Sequence, residues 1–361
     1  MRRINISILS IVFILIISCK NNQQRTEKSI EEIAIRDYSE RLKEKEFSGV
    51  ILISINDSII HNKGYGFRDR TQNILNEPNT IFDIGSITKQ FTGAGIMKLV
   101  MAGELSLDDN ITKYFNNVPT DKKRINIHHL LTHSSGLIDI IGDDYKAITQ
   151  DIFINTVFKT ELISPIGEKY NYSNVGYSLL AIVIEKISGI NYEEYLNKEV
   201  FIPSDMHGTG YILPNWNKKS IAKGYLNGEE FKRPNEENWS DDGPYLNLKG
   251  NGGILSNVSD LLKWSKAINN HLILNEKATK DYLHPHILEY EDGNSFYGYG
   301  WVIEKSKSDS KLIWHNGGNN IFFADMWMFP EDNITIIVLC NKYERYVDRI
   351  SKNLADILIK K

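Results

Sequence analysis

Short runs of β-branched and aromatic residues lie near both ends of the chain, and longer apolar or amphipathic stretches fill the middle. Near the N-terminus, "SGVILISIND" and "SIIHNKGYGF" predict two strands joined by a turn at Asn56 and Asp57. Near the C-terminus, "FYGYGWVIEK", "KLIWHNGG", "IFFADMWMF" and "NITIIVLCN" predict further strands. Helices are predicted outside them, from Thr26 to Glu46 and from about Arg345 to Ile359.

Strands at both ends and helices in the interior predict a mixed α/β protein, in which strands and helices are segregated along the chain (α+β). The expected architecture is one antiparallel sheet built from both chain ends and flanked by the terminal helices. A mostly helical lobe is inserted between the two groups of strands. We expect the two lobes to form one unit, with any functional site in the crevice between them.

The N-terminal sequence "MRRINISILSIVFILIISCKNNQQ" has the layout of an export signal, with Arg2 and Arg3 followed by an apolar run. That run is shorter than the ~20 residues that a membrane-spanning helix needs. The "IIS" before Cys19 resembles the lipobox of bacterial lipoproteins, in which the cysteine becomes the lipidated first residue. The alternative is a plain signal peptide with a chance cysteine.

The chain is therefore predicted to divide into a signal peptide (1–19), a polar tether (20–28) and one domain of two lobes (29–361). This predicts an exported lipoprotein of the cell envelope, anchored to a bacterial membrane, with its domain outside the cytoplasm. Cys340 is the only other cysteine, so no intramolecular disulfide is expected in the mature chain. The 42 Lys+Arg and 46 Asp+Glu are nearly balanced and form no long basic run, which argues against a nucleic-acid partner.

The segment "FDIGSITKQFTGAGIMKLVMAGEL" places Ser86 and Lys89 three residues apart at the start of a helix that is apolar on most faces. Residues three apart share one helix face, so the lysine should lie close to the serine hydroxyl. A desolvated lysine has a lowered pKa and can help to deprotonate a serine. The same spacing recurs at Ser220 and Ser308, so the apolar helix and the preceding glycine distinguish this example from a capping serine with a solvated lysine.

Two other segments carry candidate chemistry. "GEKYNYSNVGYSLL" places Tyr172 and Asn174 just before a second apolar helix, and "LIWHNGGNN" contains His315 near the end of a predicted strand. Gly317 and Gly318 end that strand, where backbone without side chains can approach a ligand and donate N–H groups.

These motifs occur in one order with "GELSLDDNITKYF", "LLTHSSGL", "GYSLLAIVIEKISG" and "GGILSNVSDLLKW". The chain thereby resembles the serine hydrolase superfamily of class C β-lactamases, D,D-peptidases of the penicillin-binding protein type and related esterases. The resemblance covers nearly the whole mature chain. It implies a β-lactamase/transpeptidase-like fold and hydrolysis of an amide or ester bond through an acyl-enzyme, with no cofactor or metal.

Carried over residue by residue, the resemblance implies that Ser86 is the nucleophile and that Lys89 keeps it activated. Tyr172 would shuttle the proton to the leaving group, and two neighbouring cations would favour its phenolate. Asn174 would hold a substrate amide. The backbone N–H groups of Ser86 and Gly318 would form the oxyanion hole.

The sequence departs from the family at the third motif. Many relatives have Lys-Thr-Gly where this chain has His315, Asn316 and Gly317, which are predicted to contact substrate. A histidine is charged only near or below its ordinary pKa of ~6.5, and asparagine lacks a hydroxyl, so recognition of a substrate carboxylate is in doubt. Ile321 stands where relatives often have glycine, so the pocket rim is expected to be narrower or differently shaped.

The predicted function is an exported serine hydrolase whose substrate is a D-Ala-D-Ala-type cell-wall peptide, a β-lactam or a small ester. One alternative is an esterase without penicillin affinity, and another is a penicillin- or peptide-binding protein that does not turn over.

Two further segments are interpreted as structural. His128, His129 and His133 in "HHLLTHSSG" have spacings that suit a metal, but no glutamate follows as in a zinc-protease helix. The resemblance to the family implies that the segment is a structural helix and turn. The glycine-rich segment Gly250 to Asn257 lacks the Lys-Ser/Thr ending of a phosphate loop and is expected to let backbone pass close to the site.

Overall fold

The computed structural model describes residues 31–359, which form a mixed α/β fold. The strands are β1 (Gly49–Ile55), β2 (Ser58–Tyr65), β3 (Phe67–Asp69), β4 (Ile74–Leu75), β5 (Phe82–Asp83), β6 (Tyr225–Leu226), β7 (Glu229–Glu230), β8 (Leu255–Ser256), β9 (Ile287–Leu288), β10 (Phe296–Tyr297), β11 (Val302–Lys305), β12 (Lys311–Gly318), β13 (Phe323–Phe329) and β14 (Ile334–Cys340). The helices are α1 (31–44), α2 (Thr88–Met101), α3 (Ile127–Leu131), α4 (Gln150–Lys159), α5 (Asn174–Ser188), α6 (Tyr192–Leu196), α7 (Val258–Asn269), α8 (Glu276–Tyr282) and α9 (Ile350–Leu358).

The main sheet has eight strands in the order β2-β1-β14-β13-β12-β11-β10-β9, and its pairs are antiparallel. β1 pairs along its whole length with β14, from Gly49 opposite Cys340 to Ile55 opposite Ile334. Strands from the two ends of the chain are therefore neighbours in one antiparallel sheet, which confirms the predicted architecture.

Each face of the sheet packs against helices, because successive side chains of a strand point to opposite faces. Ile51 and Ile53 of β1 belong to the apolar core shared with α1 and α9. Val50 and Leu52 belong to the larger core that contains α2, α5 and α7. The terminal helices thus cover one face of the sheet, and the inserted helical region covers the other.

The inserted helical region begins after β5 and ends before β8, and these two short strands are paired. β5 pairs with β8, with Phe82 opposite Ser256 and Asp83 opposite Leu255, although most of the helices lie between them in sequence. The residues just after β5 and just before β8 are therefore neighbours. This arrangement places the Ser86 segment beside the predicted glycine-rich passage.

The boundaries of several elements refine the predictions. The hairpin turn has positive φ at Asn56 (49°) and Asp57 (62°), as a two-residue turn of the type I′ class requires. The closing helix begins as a 3₁₀ turn (Val347–Arg349) and continues as α9. The described part of the predicted first helix ends at residue 44.

The predicted signal peptide, the lipidation site at Cys19 and the tether lie outside the described residues. Within residues 31–359, no helix combines the length and apolar character needed to cross a membrane.

Candidate active site

Ser86 lies in a 3₁₀ turn (Gly85–Ile87) between β5 and α2, at the N-terminus of a helix whose first ten residues are buried. Gly85 adopts φ 50°. Its N–H donates a hydrogen bond of 2.8 Å to the Asp83 carboxylate, which fixes the turn. Ser86 itself is half-buried, so its hydroxyl is presented at the surface of an otherwise apolar helix end.

Lys89 is fully buried one turn after Ser86. Its Nζ donates to Ser86 Oγ (3.1 Å), to Asn174 Oδ1 (2.6 Å) and to the backbone oxygen of Asn251 (2.7 Å). An ammonium has three donors, and each has an acceptor here. Burial lowers the pKa of Lys89 to about 7, against the opposing charges of the nearby carboxylates.

The Asn251 contact bears on the prediction for the glycine-rich segment. Asn251 lies in that segment, and its backbone oxygen reaches the buried ammonium of Lys89. Its side chain is held by hydrogen bonds to Ser178 Oγ (2.9 Å) and to the backbone oxygen of Asn247 (3.0 Å). The expectation that backbone passes close to the site is confirmed.

Tyr172 lies just before α5, whose N-cap is Ser173. The Lys89 ammonium is 4.7 Å from the centroid of the Tyr172 ring, and the Tyr172 hydroxyl shares a hydrogen bond with Ser86. Burial raises the pKa of Tyr172 above its ordinary value, although the bond to Ser86 opposes this. The expectation of a phenolate is therefore wrong, because desolvation outweighs the neighbouring positive charge.

Asn174 connects Lys89 to a carboxylate. Its Oδ1 accepts from Lys89, while its Nδ2 and its backbone N–H both donate to Asp139 Oδ1, at 2.9 and 3.1 Å. Asp139 is exposed, and it is held in place by these two bonds. The Asn174 amide is therefore oriented by fixed partners on both sides, with one Nδ2 hydrogen left for a substrate amide.

The end of β12 packs directly against the Ser86 turn. A Cβ atom added at Gly317 would collide with the backbone nitrogen of Ser86 and the oxygen of Ile84, and one added at Gly85 would collide with the nitrogen of Gly318. Glycine is required at both positions for this close approach. The arrangement brings the Gly318 backbone beside that of Ser86, at the N-terminus of a helix, where N–H groups are free to bind an oxyanion.

His315 is buried in the wall of the site. Its Nδ1 lies against the backbone oxygen of Asn316, which can only accept, so Nδ1 carries the proton. Its Nε2 then accepts from the Tyr297 hydroxyl at 3.0 Å. Burial, reinforced by the charge of Lys89, lowers the pKa of His315 to about 3. The ring is neutral and both nitrogens are occupied, so the predicted substrate contact would require one of these bonds to break.

The residues next to His315 on β12 alternate in exposure. The side chain of Asn316 is exposed, as expected for the next position of a strand, whereas Gly317 is buried against the Ser86 turn. Ile321, predicted to alter the pocket rim, is half-buried, and a Cβ atom added at Gly224 would collide with its side chain.

Carboxylates surround this site. Asp139 and Asp144 are the charged groups that act on Lys89, and both favour its protonated form. Asp83 is buried, and burial raises its pKa to about 6, with a further contribution from the charge of Asp144. The pKa of Asp144 is raised mainly by burial. Negative charge from Asp139 and Asp144 thus acts on the ammonium that bonds Ser86.

Sequence reasoning missed two contributors to the site, Asp139 and the backbone oxygen of Asn251. Asp139 lies two residues after "LLTHSSGL", but nothing local indicates that it turns back to Asn174. The Asn251 oxygen acts through a contact between distant segments.

The histidine-rich segment does not form a metal site in the described part of the chain. Within residues 31–359, no group of three or more His, Cys, Asp or Glu side chains is arranged to hold a metal ion. His129 instead caps α3, with Nδ1 accepting from the Asn126 N–H at 3.2 Å, and His128 Nδ1 pairs with the Tyr299 hydroxyl at 2.8 Å.

Comparison with known proteins agrees with this geometry. The family model described as Beta-lactamase matches residues 34–361. The chain is 29% identical over 339 residues to Penicillin-binding protein 4* of Bacillus subtilis (strain 168), covering 88% of this chain and 74% of that protein. It is 28% identical over 321 residues to Protein flp of Staphylococcus aureus (strain COL), covering 84% of this chain but only 61% of that protein's length. The crystal structure of the penicillin binding protein from Bacillus halodurans superposes with a TM-score of 0.74 at 27% identity, covering 87% of this chain and 98% of that one.

Proposed function

Because this chain belongs to the Beta-lactamase family, we propose that it is a serine hydrolase that forms an acyl-enzyme at Ser86 on an amide or ester bond. The observation that carries this proposal is the fully buried Lys89, whose ammonium bonds the Ser86 hydroxyl and whose pKa is lowered to about 7. A serine beside an amine that is partly unprotonated at neutral pH is an activated nucleophile.

The proposed reaction uses the groups that surround Ser86. Its Oγ attacks the substrate carbonyl carbon and its proton passes to the free amine of Lys89. The developing oxyanion accepts from the backbone N–H groups of Ser86 and Gly318, where loss of one donor typically costs about 3–4 kcal/mol of transition-state stabilisation. The neutral Tyr172 hydroxyl donates its proton to the leaving group and recovers it from Lys89. Water then hydrolyses the acyl-enzyme.

We propose that the preferred substrate is an ester or amide without a carboxylate near the reacting bond. The support is electrostatic: His315 replaces a permanent cation with a buried neutral ring, and Asp139 and Asp144 face the site. A carboxylate on the substrate would be repelled by these two aspartates. Among the described charged groups that act at the site, Lys89 is the one cation that could compensate. Like charges in such a poorly screened site oppose binding.

A penicillin or a D-Ala-D-Ala-type cell-wall peptide is the second candidate substrate. It is favoured by the names of two similar proteins, Penicillin-binding protein 4* and the Bacillus halodurans penicillin binding protein. A protein that binds penicillin or peptide without turnover is a variant of this candidate, because slow hydrolysis of the acyl-enzyme would keep Ser86 acylated.

Intact-protein mass spectrometry tests these proposals on the wild type and on Ser86→Ala. We expect a fluorophosphonate to label the wild type and the variant to lose ester hydrolysis by about 10⁴-fold or more. Labelling by a fluorescent penicillin as well would favour the second candidate, and decay of that adduct would separate hydrolysis from stalling. If no adduct from either reagent depends on Ser86, the catalytic proposal is wrong.

We also propose that the protein is exported and lipid-anchored at Cys19, with residues 20–28 as tether and residues 29–361 as the catalytic domain outside the cytoplasm. The support is the sequence alone: the basic start, the short apolar run and the "IIS" before the cysteine. An envelope location would give the site access to cell-wall peptides and to esters outside the cell.

A further inference from the structure

His133 lies beside the site, in the segment that the sequence indicated to be only a helix and turn. It follows α3, is fully buried and adopts φ 57°. Positive φ is uncommon for a residue other than glycine, and a histidine held there needs compensating contacts. Its N–H donates to the backbone oxygen of Leu130, and its backbone oxygen and ring contact Tyr172 and the residues around it.

Two hydrogen bonds join His133 to the segment that carries Tyr172. The backbone oxygen of His133 accepts from the N–H of Asn171 at 2.8 Å. Its ring Nδ1 accepts from the N–H of Ser173 at 3.0 Å. The residues immediately before and after Tyr172 are therefore both bonded to one histidine, which fixes the backbone on either side of the phenol.

The imidazole also packs directly on the Tyr172 ring. The two ring centroids are 4.3 Å apart and the planes are inclined by 32°. Three further tyrosine rings surround the imidazole, with centroid distances of 4.6 to 5.6 Å: Tyr170, Tyr177 and Tyr297. The His133 ring thus provides the surface on which the Tyr172 ring packs.

The imidazole is neutral in this position. Burial lowers the pKa of His133 well below its ordinary value, and the charge of Lys89 acts in the same direction. Because Nδ1 accepts a hydrogen bond, the proton of the neutral ring is on Nε2, which has no hydrogen-bond partner within residues 31–359. A neutral ring packed in this way can orient its neighbours, but none of the described residues is in place to exchange a proton with its Nε2.

We propose that His133 is the positioning residue for Tyr172, holding the phenol against Ser86 and Lys89 by one ring acceptor and one stacking face. This inference rests on the proposed function. Histidine suits the position because it combines a flat ring with a neutral acceptor. Phenylalanine would stack but leave the buried Ser173 N–H without an acceptor, whereas asparagine would accept and tolerate positive φ but would not stack.

The test compares His133→Phe and His133→Asn with a matched control, His129→Phe, in the full chain. His129 Nδ1 also accepts a backbone N–H, that of Asn126, but it lies outside the site. For ester hydrolysis we expect His133→Phe to lower kcat by about 10²-fold with KM nearly unchanged, because a misplaced proton donor acts on the chemical step. His133→Asn should recover part of the loss, and His129→Phe should leave kcat unchanged.

A double-mutant cycle with Tyr172→Phe separates positioning from general destabilisation. If His133 acts through Tyr172, the His133→Phe loss should disappear when the phenol hydroxyl is already absent. An equal loss in both backgrounds, or a loss no larger than that of His129→Phe, would overturn the proposal. Thermal unfolding of each variant shows whether it is folded, and His133→Asn keeps the cycle usable if His133→Phe is not.

Failure of this inference is distinguishable from failure of the proposed function. Fluorophosphonate labelling that depends on Ser86, together with wild-type kcat in His133→Phe, would overturn only the role of His133. Absence of Ser86-dependent labelling in the wild type would overturn both.

Discussion

Burial of Lys89 is the single-residue property from which the proposed chemistry follows. Removing the ammonium from water lowers its pKa from the ordinary 10.5 to about 7, even though Asp139 and Asp144 pull in the opposite direction. The amine is therefore protonated below about pH 7 and free above it. A surface lysine at the same spacing would remain charged and could not accept the serine proton.

The pH dependence of the reaction checks this directly. We expect kcat/KM for a neutral ester to rise tenfold per pH unit below pH 7 and to level off above it, because the free amine of Lys89 is the reactive form. The measurement is the pH profile from pH 5 to 9. A profile that is flat across pH 7 would contradict the assignment of Lys89 as the base.

Replacing one carboxylate should move that profile in a defined direction. Asp144→Asn removes a negative charge that favours the ammonium, so the pKa of Lys89 should fall and the acid limb should move to lower pH by roughly a few tenths of a unit. Asp143→Asn is the control, because Asp143 is adjacent in sequence but is not among the charges that act on Lys89. A shift to higher pH, or equal shifts in both variants, would refute the electrostatic account.

At the scale of elements, the contact between β12 and the turn before α2 forms the candidate oxyanion hole. No side chain separates the two backbones, because Gly85 lies against the nitrogen of Gly318 and Gly317 lies against the nitrogen of Ser86. Neither the helix nor the strand would present an oxyanion site alone.

Gly85→Ala tests this contact. The new methyl group would collide with the Gly318 nitrogen and would also strain a backbone at φ 50°. We expect the free energy of unfolding to fall by at least about 2 kcal/mol and Ser86 labelling to be largely lost. Chemical denaturation and the rate of fluorophosphonate labelling measure the two effects.

Gly103→Ala is the matched control for backbone strain alone. Gly103 has φ 74°, and an added Cβ would have no atom within 4 Å. We expect a loss of about 1 kcal/mol in unfolding free energy and an unchanged labelling rate. Equal effects of the two substitutions would mean that the approach of β12 to the turn has no special role.

At the scale of the whole molecule, the terminal helices α1 and α9 lie on the side of the sheet away from the candidate catalytic helix. α1 and α9 pack on one face, and α2, which carries Lys89, packs on the other. A tether that precedes α1 would thus join the domain on the face opposite to α2. An anchor at this end is compatible with an accessible site.

Lipidation at Cys19 is testable in a bacterial host. We expect the wild type to fractionate with membranes and to incorporate labelled palmitate, and Cys19→Ser to lose both properties. Cys340→Ala is the control, because that thiol is buried in β14 and is the other cysteine of the chain. Identical fractionation and no palmitate in all three proteins would favour the plain signal peptide.

The sequence by itself determined the sheet from both chain ends, the two apolar helices beneath the site and the positions of Ser86, Lys89 and Tyr172. The sheet, the helices and the pair of Ser86 and Lys89 depend on local patterns, namely β-branched runs, helical spacing and glycine at turns. Tyr172 was identified by the resemblance to the family. A serine and a lysine three residues apart on a helix must be neighbours whatever the rest of the fold does.

Only the tertiary structure decided the ionisation states and the partners that hold the site together. The oxygen that binds Lys89 belongs to Asn251, 162 residues away in sequence. Tyr172 is neutral rather than ionised, and His315 is neutral with both nitrogens occupied. The physical reason is that desolvation and hydrogen bonding depend on which distant segments enclose a group, and the identity of a residue does not contain that information.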